Sequence, residues 1–262
     1  MDVIEAIILG AVQGLTEFLP VSSSGHLQIA KALLGVSIDE NITFDVMLHA
    51  ATVLSTITVM WRELWRLLCG VFSRQFSNEQ AYVLKIIVSM VPAGVVGVLF
   101  ADKIETLFSS LTFVGAMLLL TAALLAFAYY ARPRQKDDIS YRDAFIIGCA
   151  QAAATMPGLS RSGSTIAAGL LLGNRKETVA EFSFIMVIPV ILGKMALDIM
   201  SGEMAAVPVG AAPLAAGFAA AFVTGVFACR FMIETVKKGR LIWFAIYCAV
   251  AGAVAMAGAA VA

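Results

Sequence analysis

Apolar residues in this chain run in stretches long enough to cross a bilayer, and polar residues interrupt that pattern in two distinctive places. A hydrocarbon core of about 30 Å takes roughly 20 apolar residues of helix. Six stretches qualify, near 43–61, 82–100, 112–131, 178–199, 207–228 and 241–261. Two other apolar regions behave differently. The first runs from Val3 to Leu19, breaks at Pro20-Val21-Ser22-Ser23-Ser24-Gly25-His26 and resumes to Gly35. The second runs from Ala144 to Met156, breaks at Pro157-Gly158-Leu159-Ser160-Arg161-Ser162-Gly163-Ser164-Thr165 and resumes to Gly173. Each half is too short to cross. Each break is too polar to face lipid, where an unpaired backbone group costs several kcal/mol. The pattern predicts two re-entrant helical hairpins, at 3–35 and 144–173, among six spans.

Composition agrees. Of 262 residues, 60% are hydrophobic and 14% charged, with a mean hydropathy of +0.91. A soluble domain carries about a quarter charged residues, so the chain reads as one all-α polytopic membrane domain. Its formal net charge of zero argues against nucleic acid as a partner. Membrane lipid is the expected surrounding, and a second copy of the chain stays open as a partner. Cys69, Cys149, Cys229 and Cys248 lie scattered in apolar stretches without metal-ligand spacing and read as small hydrophobes. The first residues carry Asp2 and Glu5 but no Lys or Arg, so a cleaved signal peptide is not expected.

The two hairpins are related to each other. Adding 138 to the residue number superimposes 5–35 on 143–173 without a gap. Ala6, Ile8, Gly10, Gln13, Ser22, Ser24, Gly25, Ala30, Leu33, Leu34 and Gly35 then meet identical residues. The chain reads as a duplication of hairpin plus three spans, with a first repeat at 1–137 and a second at 138–262. Three is odd, so the second copy is inverted in the membrane. Inverted repeats with broken helices bring their polar turns together near the bilayer midplane.

Charge sets the orientation. With the hairpins returning to the side they enter, one side receives Arg62, Arg66, Arg74, Arg132, Arg134, Lys136, Arg142, Arg175, Lys176, Arg230, Lys237, Lys238 and Arg240, and the other only Lys103. The positive-inside rule makes the basic side cytoplasmic. Both termini and the mouth of the first hairpin then face outward from a plasma (inner) membrane.

Candidate chemistry concentrates at the two turns. Gln13 and Glu17 are four residues apart and share a helix face. His26 closes the Ser22-Ser23-Ser24-Gly25-His26 run, and Arg161 stands among Ser160, Ser162, Ser164 and Thr165. An Arg fork and a ring of hydroxyls suit a phosphate. Two half-helices restarting at Ser-x-Ser-Gly would aim free N–H groups at it, and glycine at Gly25 and Gly163 allows close backbone approach. A Glu17–Arg161 ion pair joining the repeats is the plainer alternative. His49, within the first span, reads as a packed, hydrogen-bonded histidine, and Asp45 near it as a snorkelling or paired carboxylate.

At this point the motifs resemble a known family. Gln13-Gly-Leu-Thr-Glu17 and the turn to His26 look like the (E/Q)-x-x-x-E motif of the undecaprenyl pyrophosphate phosphatase, or bacitracin-resistance, family. Pro157-Gly-Leu-Ser-Arg-Ser-Gly-Ser-Thr165 is similar to its P-G-x-S-R-S-x-x-T motif at every fixed position. The resemblance covers essentially the whole chain. It implies hydrolysis of a polyprenyl diphosphate lipid, undecaprenyl diphosphate, to undecaprenyl phosphate and inorganic phosphate, recycling the carrier of cell-wall synthesis. It also implies a divalent cation, Mg2+ or Ca2+, held by Glu17 and Gln13. Because position 13 is Gln, one carboxylate fewer is available.

Within that reading Ser23, His26, Glu17 and Arg161 are the catalytic candidates. Ser23 is the proposed nucleophile, with His26 its base and Arg161 the clamp. Ser22, Ser24, Gly25, Ser160, Ser162, Gly163 and Thr165 are expected to bind the diphosphate. Histidine or water as the nucleophile stays open. So does a transporter or flippase of a polyprenyl phosphate lipid, since inverted repeats are transporter architecture. The type-2 phosphatidic acid phosphatases share Ser-Gly-His and Ser-Arg fragments, but their nucleophilic His would fall on Ala167.

Overall fold

The computed structural model describes residues 1–36, 42–107, 110–131, 136–200 and 209–261. Arg132 and Arg134 of the charge tally, and the start of the stretch predicted at 207–228, lie outside them. The described chain is helical: α1 (Val3–Phe18), α2 (Ser23–Leu34), α3 (Ile42–Val59), α4 (Trp61–Val71), α5 (Asn78–Leu107), α6 (Leu111–Tyr130), α7 (Tyr141–Ala153), α8 (Arg161–Leu171), α9 (Lys176–Met200), α10 (Ala211–Lys237) and α11 (Ile242–Val261). Five of them, α5, α6, α9, α10 and α11, are long and apolar enough to cross a membrane. The stretch predicted at 43–61 ends at Val59 and meets that test only together with α4, which would make six.

The two interrupted regions are both helix pairs, and the interruptions have local causes. Asp2 and Glu5 start α1 with a reciprocal capping box. Pro20 ends it, because the residue before a proline is pushed out of the helical region; Leu19 is extended, with φ −70° and ψ 142°. In the second pair the break contains Pro157 and Gly158, the latter at φ 89°. Ser160 then caps α8, its Oγ accepting from the Gly163 N–H. The 138-residue offset carries through to element boundaries: α2 begins at Ser23 and α8 at Arg161. Gly35 and Gly173, which follow those helices, both adopt a left-handed conformation, φ 67° and 87°.

The chain forms two compact units. The first comprises Met1–Leu19, Ser23–Val59 and Val187–Met232. Its core is Ala6, Leu9, Leu27, Phe44, Leu48, Ala51 and Ala221. Helix α1 packs on α10 glycine against glycine: a Cβ on Gly10 would overlap the carbonyl of Gly217, and one on Gly14 the hydroxyl of Thr224. Such contacts are how helices associate where lipid offers no hydrophobic drive.

The second unit comprises Pro20–Ser22, Met60–Met186 and Ile233–Ala262. Here α6 packs against α11 through Gly115 and Gly252, and α7 against α5 at Gly148 and Ser89. Helix α4 was not foreseen. Its exposed stripe of Trp61, Trp65, Leu68 and Phe72 alternates with Arg62, Glu63 and Arg66, the pattern of a helix lying in a membrane interface. All four cysteines are free thiols, Cys229 and Cys248 buried, Cys69 and Cys149 exposed.

Candidate active site

The first unit assembles its polar residues around one carboxylate. Gln13 and Glu17 are both buried, one turn apart on α1. Gln13 Nε2 donates to Glu17 Oε2 at 3.0 Å. The Ser23 hydroxyl, from the first turn of α2, donates to the same oxygen at 2.8 Å. Between the helices Ser22 sits at φ 70°, a left-handed conformation that costs a non-glycine residue about 1 kcal/mol or more. That kink returns the chain so that a serine six residues after Glu17 meets it. His26 lies three residues after Ser23, hence on the same face of α2. Ser24 is half-buried and Gly25 buried in that first turn.

His49 joins this group. Its Nδ1 lies 2.8 Å from the Asp45 carbonyl oxygen; a carbonyl only accepts, which assigns the proton to Nδ1. Nε2 is then turned toward Glu17 Oε2, 4.0 Å away. Asp45 itself pairs with the buried Lys31 at 2.6 Å. Their sequence positions predict a packed, hydrogen-bonded side chain for His49 and a paired or snorkelling one for Asp45. The pairing of Asp45 agrees, whereas the nearness of His49 to Glu17 was missed. The only signal for it was that Asp45 and His49 share the polar face of α3 with Thr52 and Thr56.

The second unit gathers hydroxyls around the start of α8. Ser160 Oγ, besides capping the helix, lies 3.3 Å from Ser162 Oγ. The Ser160 N–H donates to Thr121 Oγ1 at 3.1 Å, tying the break to α6. Thr165 Oγ1 meets Ser183 Oγ at 2.6 Å. Arg161 is the half-buried first residue of α8, while Ser162, Gly163, Ser164 and Thr165 are buried behind it. Pro20, Val21 and Ser22 belong to this unit. A Cβ on Gly163 would stand 3.1 Å from the Cβ of Pro20, and Cys248 Sγ lies 3.2 Å from the Pro20 carbonyl oxygen. Buried hydroxyls, a guanidinium and a helix N-terminus are groups whose chemistry suits an anion.

The sequence profile described as "Bacitracin resistance protein BacA" matches residues 6–254. The chain belongs to that family. The matched region contains both polar breaks and every candidate residue named above. A protein of Parabacteroides distasonis named undecaprenyl-diphosphatase is 59% identical over 261 residues, 98% of each chain. One of the same name from Bacteroides thetaiotaomicron is 57% identical over 256 residues, 96% of this chain and 97% of that one. A third, from Methanosphaera stadtmanae, is 38% identical over 269 residues, 96% of each.

The described residues also bear on the cation expected from the family. They contain no cluster of three or more His, Cys, Asp or Glu side chains. The first unit does hold a buried oxygen, Gln13 Oε1, with no hydrogen-bond partner among the described residues, next to the Glu17 carboxylate. Two side-chain oxygen donors suit a hard divalent cation, which can take few protein oxygens and complete its shell with other oxygen ligands. The residues fit the group.

Proposed function

We propose that this chain is an integral membrane undecaprenyl-diphosphatase, cleaving undecaprenyl diphosphate to undecaprenyl phosphate and inorganic phosphate. The observation that carries the reading is the Ser23 hydroxyl bonded to the Glu17 carboxylate at 2.8 Å, in a chain of the family just described. A serine becomes a nucleophile when a base stands within hydrogen-bond reach. Glu17 is that base. Ser23 Oγ attacks the terminal phosphorus as its proton passes to Glu17. The bond from that phosphorus to the bridging oxygen breaks, and undecaprenyl phosphate leaves. Water activated by His26, one turn along α2, then hydrolyses the phosphoserine, releases inorganic phosphate and restores the hydroxyl.

Arg161 and the N-terminus of α8, with Ser160, Ser162 and Thr165, hold the diphosphate oxygens. This reading requires the two polar breaks to converge. Support comes from the sequence repeat, since inverted repeats with broken helices bring their polar turns together. Alternatively, Gln13 and Glu17 would hold the divalent cation, which would supply positive charge against the diphosphate, and His26 would then be the base for Ser23. Phosphoryl transfer depends mainly on such positioning and electrostatics.

We further read the helix pairs as re-entrant hairpins within an inverted repeat of six spans. The matching starts of α2 and α8 and the matching left-handed glycines support it. The basic side is cytoplasmic, and the first hairpin opens outward. The test is phosphate release from undecaprenyl diphosphate by the purified, detergent-solubilised protein with added Mg2+ or Ca2+. Release at enzymatic rates is expected. Tight lipid binding without release would overturn the reading in favour of a carrier of lipid phosphates.

A further inference from the structure

Gln151 repeats Gln13 at the 138-residue offset but lives in a different setting. It is 2% exposed, and neither Nε2 nor Oε1 of its amide meets a hydrogen-bond partner among the described residues. Gln13 orients Glu17. The counterpart of Glu17 in the second repeat is Thr155, whose hydroxyl donates instead to the Ala152 carbonyl. Gln151 has therefore kept its burial and lost the carboxylate that would use its amide. Buried polar groups are nearly always satisfied, so an exception needs a physical explanation, of which a bound group is one.

The packing of α7 gives the direction of that partner. Asp143, Ile147 and Gln151 form one buried stripe at four-residue spacing. Asp143 Oδ2 accepts from Nδ2 of Asn174, which follows α8, so the stripe looks toward α8. The neighbouring stripe of Ala144, Gly148 and Ala152 faces α5, where Gly148 meets Ser89. Gln151 occupies the last turn of α7 and Ser164 the first turn of α8, on two helices packed as a pair. Both therefore lie at the same depth beside the break. Ser164 Oγ is also buried and lacks a hydrogen-bond partner among the described residues. Two buried polar side chains at one level of the α7–α8 pair thus meet no hydrogen-bond partner among the described residues.

We propose that Gln151 and Ser164 bind a phosphoryl group that carries one proton. The amide supplies a donor and an acceptor side by side, matching a P–O⁻ and a P–OH on one phosphorus, and the serine hydroxyl supplies a second donor. Two species share that chemistry: the terminal phosphoryl of the diphosphate lipid and the inorganic phosphate released from it. The inference rests on the phosphatase reading above.

The test uses the full-length protein in detergent, with undecaprenyl diphosphate as substrate and inorganic phosphate as a separate probe. Gln151→Leu should raise KM about tenfold or more and shift the phosphate concentration that gives half-maximal thermal stabilisation upward by a similar factor. Without phosphate its melting temperature should equal or exceed that of the wild type, because a buried unsatisfied amide has been removed. Gln151→Glu, of the same size, should weaken both readouts further through charge repulsion. An effect on KM without one on the phosphate shift assigns the subsite to the lipid's terminal phosphoryl; an effect on both assigns it to both species. Wild-type KM and phosphate response in either variant would overturn the proposal, as would a lowered melting temperature of Gln151→Leu with KM unchanged. A wild-type protein that hydrolyses nothing would instead overturn the underlying phosphatase reading.

Discussion

The Ser23 hydroxyl donates to Glu17 Oε2 at 2.8 Å across the break between α1 and α2. A carboxylate already bonded to a serine hydroxyl is placed to take its proton as the oxygen attacks. Ser23→Ala should therefore abolish turnover while lipid binding persists, and Glu17→Gln should lower kcat by at least 100-fold. Steady-state phosphate release and a binding assay with the unhydrolysed lipid check both. If Ser23→Ala keeps a tenth of the wild-type kcat, a loss of only about 1.4 kcal/mol, the nucleophile is His26 or water.

Arg161 begins α8 among Ser160, Ser162 and Thr165. A guanidinium fork grips two phosphate oxygens at once, which a lysine ammonium cannot reproduce. Arg161→Ala is expected to lose both binding and turnover. Arg161→Lys should retain part of the binding but little kcat. Equal activity in the lysine variant would mean that charge alone is needed there.

Helix packing in the first unit makes a stability prediction. A Cβ on Gly10 would overlap the Gly217 carbonyl, whereas one on Gly94 of α5 would meet nothing within 4 Å. Gly10→Val should lower the melting temperature in detergent and cost about 1–3 kcal/mol through overpacking. Gly94→Ala should be neutral or gain up to about 1 kcal/mol of helix propensity. Similar melting temperatures for the two variants would show that α1 and α10 do not pack that closely in the membrane protein.

Orientation can be read by labelling single cysteines in a background lacking the four native ones. Asp2→Cys should react with a membrane-impermeant maleimide in intact cells. Ser73→Cys, beside Arg74 on the basic side, should react only after permeabilisation. The opposite pattern would reverse the assigned topology.

Local chemistry made much of this protein legible from its sequence. Apolar length marked α5, α6, α9, α10 and α11 as possible spans, because a bilayer sets the number of residues needed to cross it. Pro20 and Pro157-Gly158 marked the two breaks, because each disrupts helix through its own backbone or its neighbour's. The pairing of Gln13 with Glu17 followed from helical spacing alone. Two motifs were enough to point to the family.

What tertiary structure decided were relationships that depend on conformation across breaks or on distant contacts. Which group accepts the Ser23 hydroxyl depended on the turn through Ser22 at φ 70°, an uncommon conformation that no local preference of serine predicts. His49 stands 32 residues after Glu17 and reaches it only because α3 packs on α1. Gln151 looked like a second copy of Gln13, and only its packed surroundings reveal that its amide meets no protein partner among the described residues. Spacing along a helix is set by the covalent chain; the neighbours of a side chain are set by how the helices pack.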